Sequence, residues 1–415
     1  MKHRTDFIPF SRPSFSAGEE TAIVETLRSG WVSTAGEAEK FEDEFRRFLR
    51  VPYALAVNSA TAGLHLALKA AGVTEGDRVI TTPFTFAATA EVCRYEGAHP
   101  LFVDIEEDTM NIDPEKVGKA VHTDPKAAAV MPVHIAGLPC SMDRILEAAG
   151  KSPSPGSSSK GGASDVRLPV IEDAAHAFPV STPEGYIGTL GDLGVFSFYA
   201  TKPITTGEGG MVVTGNNPYA ERIKLLRLHG IDRTVWDRYH TNDAGAWDYD
   251  VVTVGYKYNM SDLMAAIGRV QLAKAENFLQ RRKQIAGKYR ELLGSEDYLI
   301  LPKENENHSW HLYILRINPE KLQISRDQFM QRLSKHNIGL SLHFKPLHLM
   351  LYYKKKYGFK PEEFPVSLRV YRTCFSIPIY PGLRDEQVGY IADSIKTVGR
   401  AAYKPAAFPC AEDCS

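Results

Sequence analysis

Short apolar runs alternate with amphipathic stretches from residue 53 to about residue 215. The apolar runs predict buried strands, and the stretches between them predict helices. The predicted strands are Tyr53–Val57, Arg78–Thr82, Leu101–Asp104, Ala128–Met131 and Leu168–Ile171. The predicted helices are Thr61–Ala71 and residues 86–96, 114–122 and 141–149. This alternation favours an α/β fold, with a mostly parallel sheet between layers of helices.

The pattern changes toward the C-terminus. Val195–Phe198 and Gly210–Thr214 look like a hairpin and predict local antiparallel pairing. One long helix is expected from Ser261 to about Leu293, with Ser261 and Asp262 at its cap. Further strands are expected at His311–Arg316 and Cys374–Ile379, with helices near residues 326–335 and 385–398. We therefore predict a large domain over residues 1–275 and a smaller C-terminal α+β domain over residues 276–415.

Residues 152–164 are almost entirely Ser, Pro, Gly and Lys and lie between a predicted helix and a predicted strand. A segment of this composition cannot bury enough apolar surface to become ordered. Since the strands on both sides belong to one predicted sheet, we interpret it as a mobile surface insertion and not as a domain linker.

Composition narrows the class of protein. The 415 residues are 43% hydrophobic and 24% charged, as in an ordinary globular protein. Because the net charge is −1, the electrostatic field of the whole chain does not favour binding to nucleic acid or to an anionic membrane. The five cysteines show no CxxC pair, which favours a reducing compartment. Because no signal-peptide core or membrane-spanning apolar run is visible, we expect a cytoplasmic protein.

A lysine and a carboxylate follow predicted strands. Lys202 ends Phe196-Ser-Phe-Tyr-Ala-Thr-Lys202, and Asp173 and His176 lie in Glu172-Asp-Ala-Ala-His176. Such a lysine can form a Schiff base with pyridoxal 5'-phosphate (PLP) and then move a proton, and the carboxylate can keep the pyridine nitrogen protonated. A lone lysine is more often solvated, but the glycines of Gly207–Gly210 favour a ligand site. We predict Lys202, Asp173 and His176 as the catalytic residues.

A possible phosphate site precedes these residues. Asn58–Gly63 follows a strand and opens a helix, so its N–H groups and small hydroxyls can bind a phosphate, although many such segments are only capped helices. Ser197 is a further candidate donor. Phe86 is a candidate to stack on a flat cofactor ring, with a core position as the alternative.

These segments resemble the DegT/DnrJ/EryC1/StrS family of PLP-dependent nucleotide-sugar aminotransferases. The match also includes Pro9–Pro13, Ser29–Thr34, Gly255–Asn259, His343–His348 and Ser376–Pro381. Within the family, three segments are similar to those of the enzymes that make UDP-4-amino-4-deoxy-L-arabinose: Phe10–Pro13, His229–Arg238 and Gly255–Asn259. Many members have Gly-Tyr-Asn-Tyr-Arg at the position of Gly255–Asn259. In this chain Lys257 replaces the Asn of that motif, and Asn259 replaces the Arg. The insertion at residues 152–164 and the tail Cys410–Cys414 are further departures.

The resemblance implies PLP-dependent transferase fold type I and a homodimer with shared active sites. Lys257 of one chain would reach the cofactor phosphate of the other. The implied cofactor-binding residues are Ser59, Ala60, Thr61, Phe86, Asp173, His176, Ser197, Lys202 and Lys257. The implied substrate-binding residues are Tyr199, Asn259 and His343.

The resemblance also implies a reaction. L-Glutamate would give its amino group to a keto group of a nucleotide-linked sugar and leave as 2-oxoglutarate, in cell-surface polysaccharide or lipopolysaccharide synthesis. A UDP-linked 4-ketopentose or another 4-ketosugar is the expected acceptor, with a 3-ketosugar as the alternative. A sugar dehydratase of the same family is disfavoured because those relatives have His where this chain has Lys202, and the intact catalytic set disfavours a non-catalytic homologue.

Two pairs of histidines are candidate metal ligands. His343 and His348 form one pair, and His308 and His311 form another. Zinc sites need three or four converging ligands, and no further cluster with ligand spacing accompanies either pair. We therefore expect no metal site.

Overall fold

A computed structural model describes residues 6–150, 167–232 and 248–404. The predicted insertion at residues 152–164 and the cysteines of the C-terminal tail lie outside these residues. The helices are α1 (Ala17–Ser29), α2 (Gly36–Leu49), α3 (Ala60–Ala70), α4 (Ala87–Tyr95), α5 (Pro114–Thr123), α6 (Met142–Ala148), α7 (Asn217–Leu226), α8 (Asp262–Ala273), α9 (Ala275–Leu293), α10 (Arg326–Ser334), α11 (Leu351–Tyr357), α12 (Pro365–Thr373) and α13 (Asp385–Ala401). None of the helices in the described ranges is both long and apolar enough to cross a membrane.

The strands form one large sheet, one small sheet and a short hairpin. They are β1 (Tyr53–Val57), β2 (Arg78–Thr81), β3 (His99–Phe102), β4 (Ala127–Val130), β5 (Ile171–Asp173), β6 (Ser181–Thr182), β7 (Gly185–Tyr186), β8 (Leu193–Ser197), β9 (Gly210–Thr214), β10 (Leu299–Ile300), β11 (Tyr313–Ile317) and β12 (Cys374–Ile377).

The large sheet has the order β1-β9-β8-β5-β4-β2-β3. Parallel bridges from Val130 to Val170 and from Val133 to Asp173 join its two halves. Among the described strands of this sheet, only β9 runs antiparallel to its neighbours, which are β1 and β8. The prediction of a mostly parallel sheet between helices is therefore confirmed. The predicted antiparallel pairing after residue 195 is also observed, since Ser197 lies opposite Gly210.

Helices cover both faces of this sheet because successive residues of each strand point to opposite sides. In β1, Leu55 and Val57 belong to an apolar core with α3, α4 and α7, while Ala54 and Ala56 belong to a second core with α2 and α8. The two layers leave the strand ends, and the helix N-termini above them, open to a ligand.

The C-terminal part has a core of its own. Strands β10, β11 and β12 form an antiparallel sheet that packs with α9, α10 and α13. Ile8 joins this core and pairs with Ile338, so the N-terminal segment lies against the C-terminal part. The domain boundary at residue 275 stays a prediction.

Several predicted bounds differ from the structure by about two residues, as where the strand predicted at Leu101–Asp104 is β3 (His99–Phe102). Two further differences have a local reason. The strand predicted at Leu168–Ile171 lies at Ile171–Asp173, so Asp173 ends the strand and does not follow it. Pro169 lacks an N–H group for strand pairing, which explains the later start. The single long helix is two helices, α8 and α9. They divide at Lys274, whose N–H donates to the Gln271 carbonyl three residues back and not to a carbonyl four residues back.

Candidate active site

A cavity of about 450 Å³ lies at the carboxyl ends of β5 and β8, between the N-termini of α3 and α4 and the C-terminal part. Ten of the twelve predicted site residues line it. They are Ser59, Ala60, Thr61, Phe86, Asp173, His176, Ser197, Tyr199, Lys202 and His343. Segments far apart in sequence converge here because parallel strands present their carboxyl ends at one edge of the sheet.

Lys202 lies in a turn after β8, where its N–H donates to the Tyr199 carbonyl at 2.9 Å. Burial lowers the pKa of its ammonium group to about 8, and the charge of nearby Asp173 opposes this shift. A lower pKa increases the share of neutral amine at physiological pH. The neutral amine is the form that attacks a carbonyl carbon.

Asp173 is buried at the end of β5. Thr89 Oγ1 donates to its Oδ2 at 2.9 Å, and the Ala175 N–H donates to its Oδ1 at 3.2 Å. Burial raises the pKa of this carboxyl, and the two hydrogen bonds oppose the shift. Because two neutral donors compensate a buried charge only in part, a cationic ligand would stabilise the carboxylate.

His176 lies above the same strand end, with its ring stacked on Phe344 (5.8 Å between ring centroids, 11° between planes). The His311 ring is closer, with 4.5 Å between centroids. Burial lowers the pKa of His176 well below its usual value, so the ring is neutral. Among the described residues its Nδ1 has no hydrogen-bond partner. A buried nitrogen of this kind is suited to bond a polar atom of a ligand.

His343 closes the cavity from the C-terminal part. Its Nδ1 lies 2.9 Å from Ser376 Oγ, and its ring stacks on Phe10 at 5.4 Å between centroids. Burial, assisted by the positive charge of Lys202, lowers its pKa to about 4. His343 is therefore a neutral hydrogen-bonding side chain at neutral pH.

The opposite end of the cavity is the N-terminus of α3. Ser59 caps the helix, since its Oγ accepts from the Ala62 N–H at 3.1 Å. The N–H groups of Ala60 and Thr61 belong to the first turn and have no acceptor within the helix. Gly210 packs beneath this turn, where a Cβ would lie only 2.7 Å from the Ala60 nitrogen.

Lys257 and Asn259 do not line the cavity formed by the described residues of their own chain. Lys257 is exposed. Asn259 Nδ2 donates to Thr34 Oγ1, while its Oδ1 is buried without a partner among the described residues. The predicted roles of Lys257 and Asn259 in the site stay predictions.

Several lining residues received no role from the sequence. They are Phe10, Thr85, Thr89, His311 and Phe344. The sequence contains a signal for Thr89. It lies one helical turn after Phe86, so a site that includes Phe86 is expected to include Thr89 on the same side of α4. For His311 the sequence suggests only a metal-ligand role. In the described part of the chain no group of three His, Cys, Asp or Glu side chains is placed to hold a metal ion.

The cavity fits PLP. Asp173 is a buried carboxylate that can pair with a protonated ring nitrogen, and the free Nδ1 of His176 can bond the ring oxygen. The Lys202 amine can bond the aldehyde carbon. The helix N-terminus at Ala60 and Thr61 can bind the phosphate group.

The fold and this cavity define a PLP-dependent aminotransferase of fold type I. The chain belongs to the DegT/DnrJ/EryC1/StrS aminotransferase family, whose model matches residues 13–396. Sugar aminotransferases are the class of enzyme that this family and the similar solved structures represent.

Known proteins resemble the chain over nearly its whole length. The uncharacterized protein MJ1066 of Methanocaldococcus jannaschii is 45% identical over 397 residues, which are 95% of this chain and 98% of that protein. The spore coat polysaccharide biosynthesis protein SpsC of Bacillus subtilis is 40% identical over 405 residues, covering 97% and 100%. The PMP form of Spr1654, a candidate sugar aminotransferase from Streptococcus pneumoniae, aligns with a TM-score of 0.85 at 33% identity and covers 95% and 99%. A PLP form of Spr1654 has also been solved.

Proposed function

We propose that this enzyme transfers the amino group of L-glutamate to a keto group of a nucleotide-linked sugar. The observation that carries the proposal is the convergence of Lys202, Asp173 and the α3 N-terminus in one cavity. An amine for the cofactor aldehyde, an acid for the ring nitrogen and a site for the phosphate are what a transaminase requires.

Each residue has a distinct task in this proposal. When bound, PLP supplies an electron-withdrawing ring that stabilises negative charge on the carbon that loses its proton. Asp173 keeps the ring nitrogen protonated. Lys202 would accept the proton from the α-carbon of glutamate. Glutamate would leave its amino group on the cofactor, take up the oxygen of a water molecule and depart as 2-oxoglutarate. In the second half-reaction the keto carbon of the sugar would lose its oxygen as water and gain the amino group, and Lys202 would deliver the proton to that carbon.

We assign the sugar to the wall of the cavity that His343, Tyr199, Phe10 and Phe344 line. His343 and Tyr199 can donate or accept hydrogen bonds to sugar hydroxyls, and Phe10 and Phe344 add apolar contacts. We propose a UDP-linked 4-ketopentose or another 4-ketosugar as the acceptor, with a 3-ketosugar as the alternative. The name of SpsC supports a role in cell-surface polysaccharide synthesis, and lipopolysaccharide is one such product.

We further propose a homodimer in which Lys257 of one chain reaches the cofactor phosphate of the other. Two observations support it: Lys257 is exposed and lies outside its own cavity, and Val254 nearby is 83% exposed. Phe86, at the mouth of the cavity, is 63% exposed, as expected of a residue that a ligand or a second chain covers. Three buried free cysteines, Cys93, Cys140 and Cys374, suit the reducing cytoplasm that we propose as the location.

The first test is the visible absorbance of the purified protein with PLP, before and after L-glutamate is added. We expect a band from lysine-bound cofactor that L-glutamate bleaches and that a suitable keto sugar restores. Lys202→Ala should lack this response and show no turnover in either half-reaction, because the amine that moves the proton is gone.

Lys283→Ala is a matched control, since it also removes a lysine charge but lies on α9, outside the cavity. A band that ignores glutamate would reject the donor and keep the cofactor. Full activity of Lys202→Ala would reject the assignment of the catalytic residue.

A further inference from the structure

A buried polar cluster lies behind the segment that presents Lys257. Its centre is His65 on α3, which is 3% exposed. His65 Nε2 lies 2.7 Å from Glu96 Oε1, and Lys69 Nζ donates to Glu96 Oε2 at 2.7 Å. His65, Lys69 and Glu96 line no part of the active-site cavity, so their polar contacts need another explanation.

Two tyrosines connect this cluster to the Lys257 segment. The Tyr258 hydroxyl lies 3.2 Å from His65 Nδ1, and the Tyr256 hydroxyl donates to Glu96 Oε1 at 3.3 Å. The two tyrosine rings stack with 5.0 Å between centroids and 11° between planes. Burial lowers the pKa of His65, against the opposing effect of Glu96, so the ring is neutral. It can then donate from Nε2 to Glu96 and accept at Nδ1 from Tyr258.

Backbone hydrogen bonds hold the main chain of the segment. The Tyr256 N–H donates to the Leu226 carbonyl at 2.7 Å, and the Tyr258 N–H donates to the Arg227 carbonyl at 2.9 Å. The side-chain contacts of the two tyrosines are a second attachment, on the side that faces α3. In an extended segment alternate side chains point to opposite sides. With Tyr256 and Tyr258 held against α3, Lys257 faces away from the cluster and into solvent.

Helix α3 therefore serves two phosphate sites under the proposed function. Its N-terminus at Ala60 and Thr61 meets the phosphate of its own chain. His65 lies four residues after Thr61, about 6 Å further along the helix. From there it supports the segment whose lysine would meet the phosphate of the other chain.

We propose that the His65–Glu96 pair, acting through the hydroxyl groups of Tyr256 and Tyr258, positions Lys257 for the phosphate of PLP bound in a second copy of the chain. This inference rests on the proposed role of Lys257. The four residues line no part of the described cavity of their own chain, and the role that we assign to them is to position Lys257.

The test compares the affinity of the cofactor-free protein for PLP and for pyridoxal, which lacks the phosphate. Tyr258→Phe removes the hydroxyl at His65 and keeps the stacked ring. We expect its dissociation constant for PLP to rise roughly fivefold, the effect of one lost hydrogen bond, with no change for pyridoxal. Tyr95→Phe is the matched control, because its ring packs edge-on against the same His65 but belongs to α4. It should change neither constant.

A double-mutant cycle with Lys257→Met shows whether the effect passes through the lysine. In the Lys257→Met background, Tyr258→Phe should cause no further loss of PLP affinity. A fivefold loss that persists there, or equal losses for PLP and pyridoxal, would overturn the positioning role.

The cycle also separates the two proposals. If Lys257→Met alone leaves the preference for PLP over pyridoxal unchanged, the role of Lys257 in the proposed function is wrong, and the positioning role is overturned with it. If Tyr258→Phe does not fold, as judged by thermal unfolding, Tyr256→Phe removes the other hydroxyl and gives the same test.

Discussion

At the scale of single residues, the environment of Asp173 determines whether it can serve the cofactor. Its carboxylate is buried, and Thr89 supplies the shorter of its two hydrogen bonds at 2.9 Å. Thr85 Oγ1 lies 2.9 Å from Thr89 Oγ1 and can fix the orientation of that hydroxyl. This pair of threonines therefore holds the carboxylate in place and favours its charged form.

We expect Thr89→Val to slow the glutamate half-reaction about tenfold, because a hydrogen bond to a charged group is lost while side-chain shape is kept. Stopped-flow absorbance with L-glutamate measures this rate. Thr89→Ser retains the hydroxyl and should stay within about twofold of the unaltered protein. Equal losses in both variants would mean that packing, and not the hydrogen bond, is what matters.

At the scale of elements, α1 is tied to α8 and α9 by one buried charge. Glu19 accepts from Lys274 Nζ at 2.6 and 2.7 Å and from the Ser16 N–H at 2.9 Å. Burial alone would raise the pKa of Glu19, but the bonds to Lys274, Ser16 and Gln271 lower it to about 2. The break between α8 and α9 thus places the Lys274 ammonium group within hydrogen-bond distance of Glu19 on α1.

Since the folded pKa of Glu19 lies below its ordinary value of 4.5, its contribution to stability is complete above about pH 5 and is lost as the pH falls toward 2. We expect Glu19→Gln to lower the free energy of unfolding by about 2 kcal/mol at pH 7 and by progressively less below pH 4. Denaturant unfolding at several pH values measures this. Glu20→Gln, at the exposed neighbour, is the control. A loss that does not depend on pH would contradict the assignment.

At the scale of the whole molecule, each active site needs parts from distant regions and, by the proposed function, from two chains. Subunit exchange tests this. A mixed dimer of a Lys202→Ala chain and a Lys257→Met chain has one site with both defects and one site with neither. At random exchange half of the dimers are mixed, so about a quarter of the wild-type activity should return.

The assay uses a PLP concentration that loads the unaltered protein but not Lys257→Met. Each variant alone should remain inactive under these conditions. No recovery on mixing would show that Lys257 does not act across a subunit interface. A chain that carries both substitutions, mixed with the unaltered chain, is the control, because every mixed dimer then contains only singly defective sites.

Local pattern determined most of the secondary structure and the family to which the chain belongs. Ser261 caps a helix where the sequence indicated, because capping depends on neighbouring residues. The convergence of Lys202 with Asp173 was predictable for a similar reason, since the carboxyl ends of neighbouring strands meet in any doubly wound sheet.

The sequence was less informative where an outcome depends on contacts between remote residues. Thr89 and Asp173 are 84 positions apart, and His65 and Tyr258 are 193 apart. Neither hydrogen bond follows from local propensity, because each needs two packed elements in one relative position. The class of enzyme and its cofactor were therefore readable from the sequence, whereas tertiary packing alone decided which side chains contact Asp173 and the Lys257 segment.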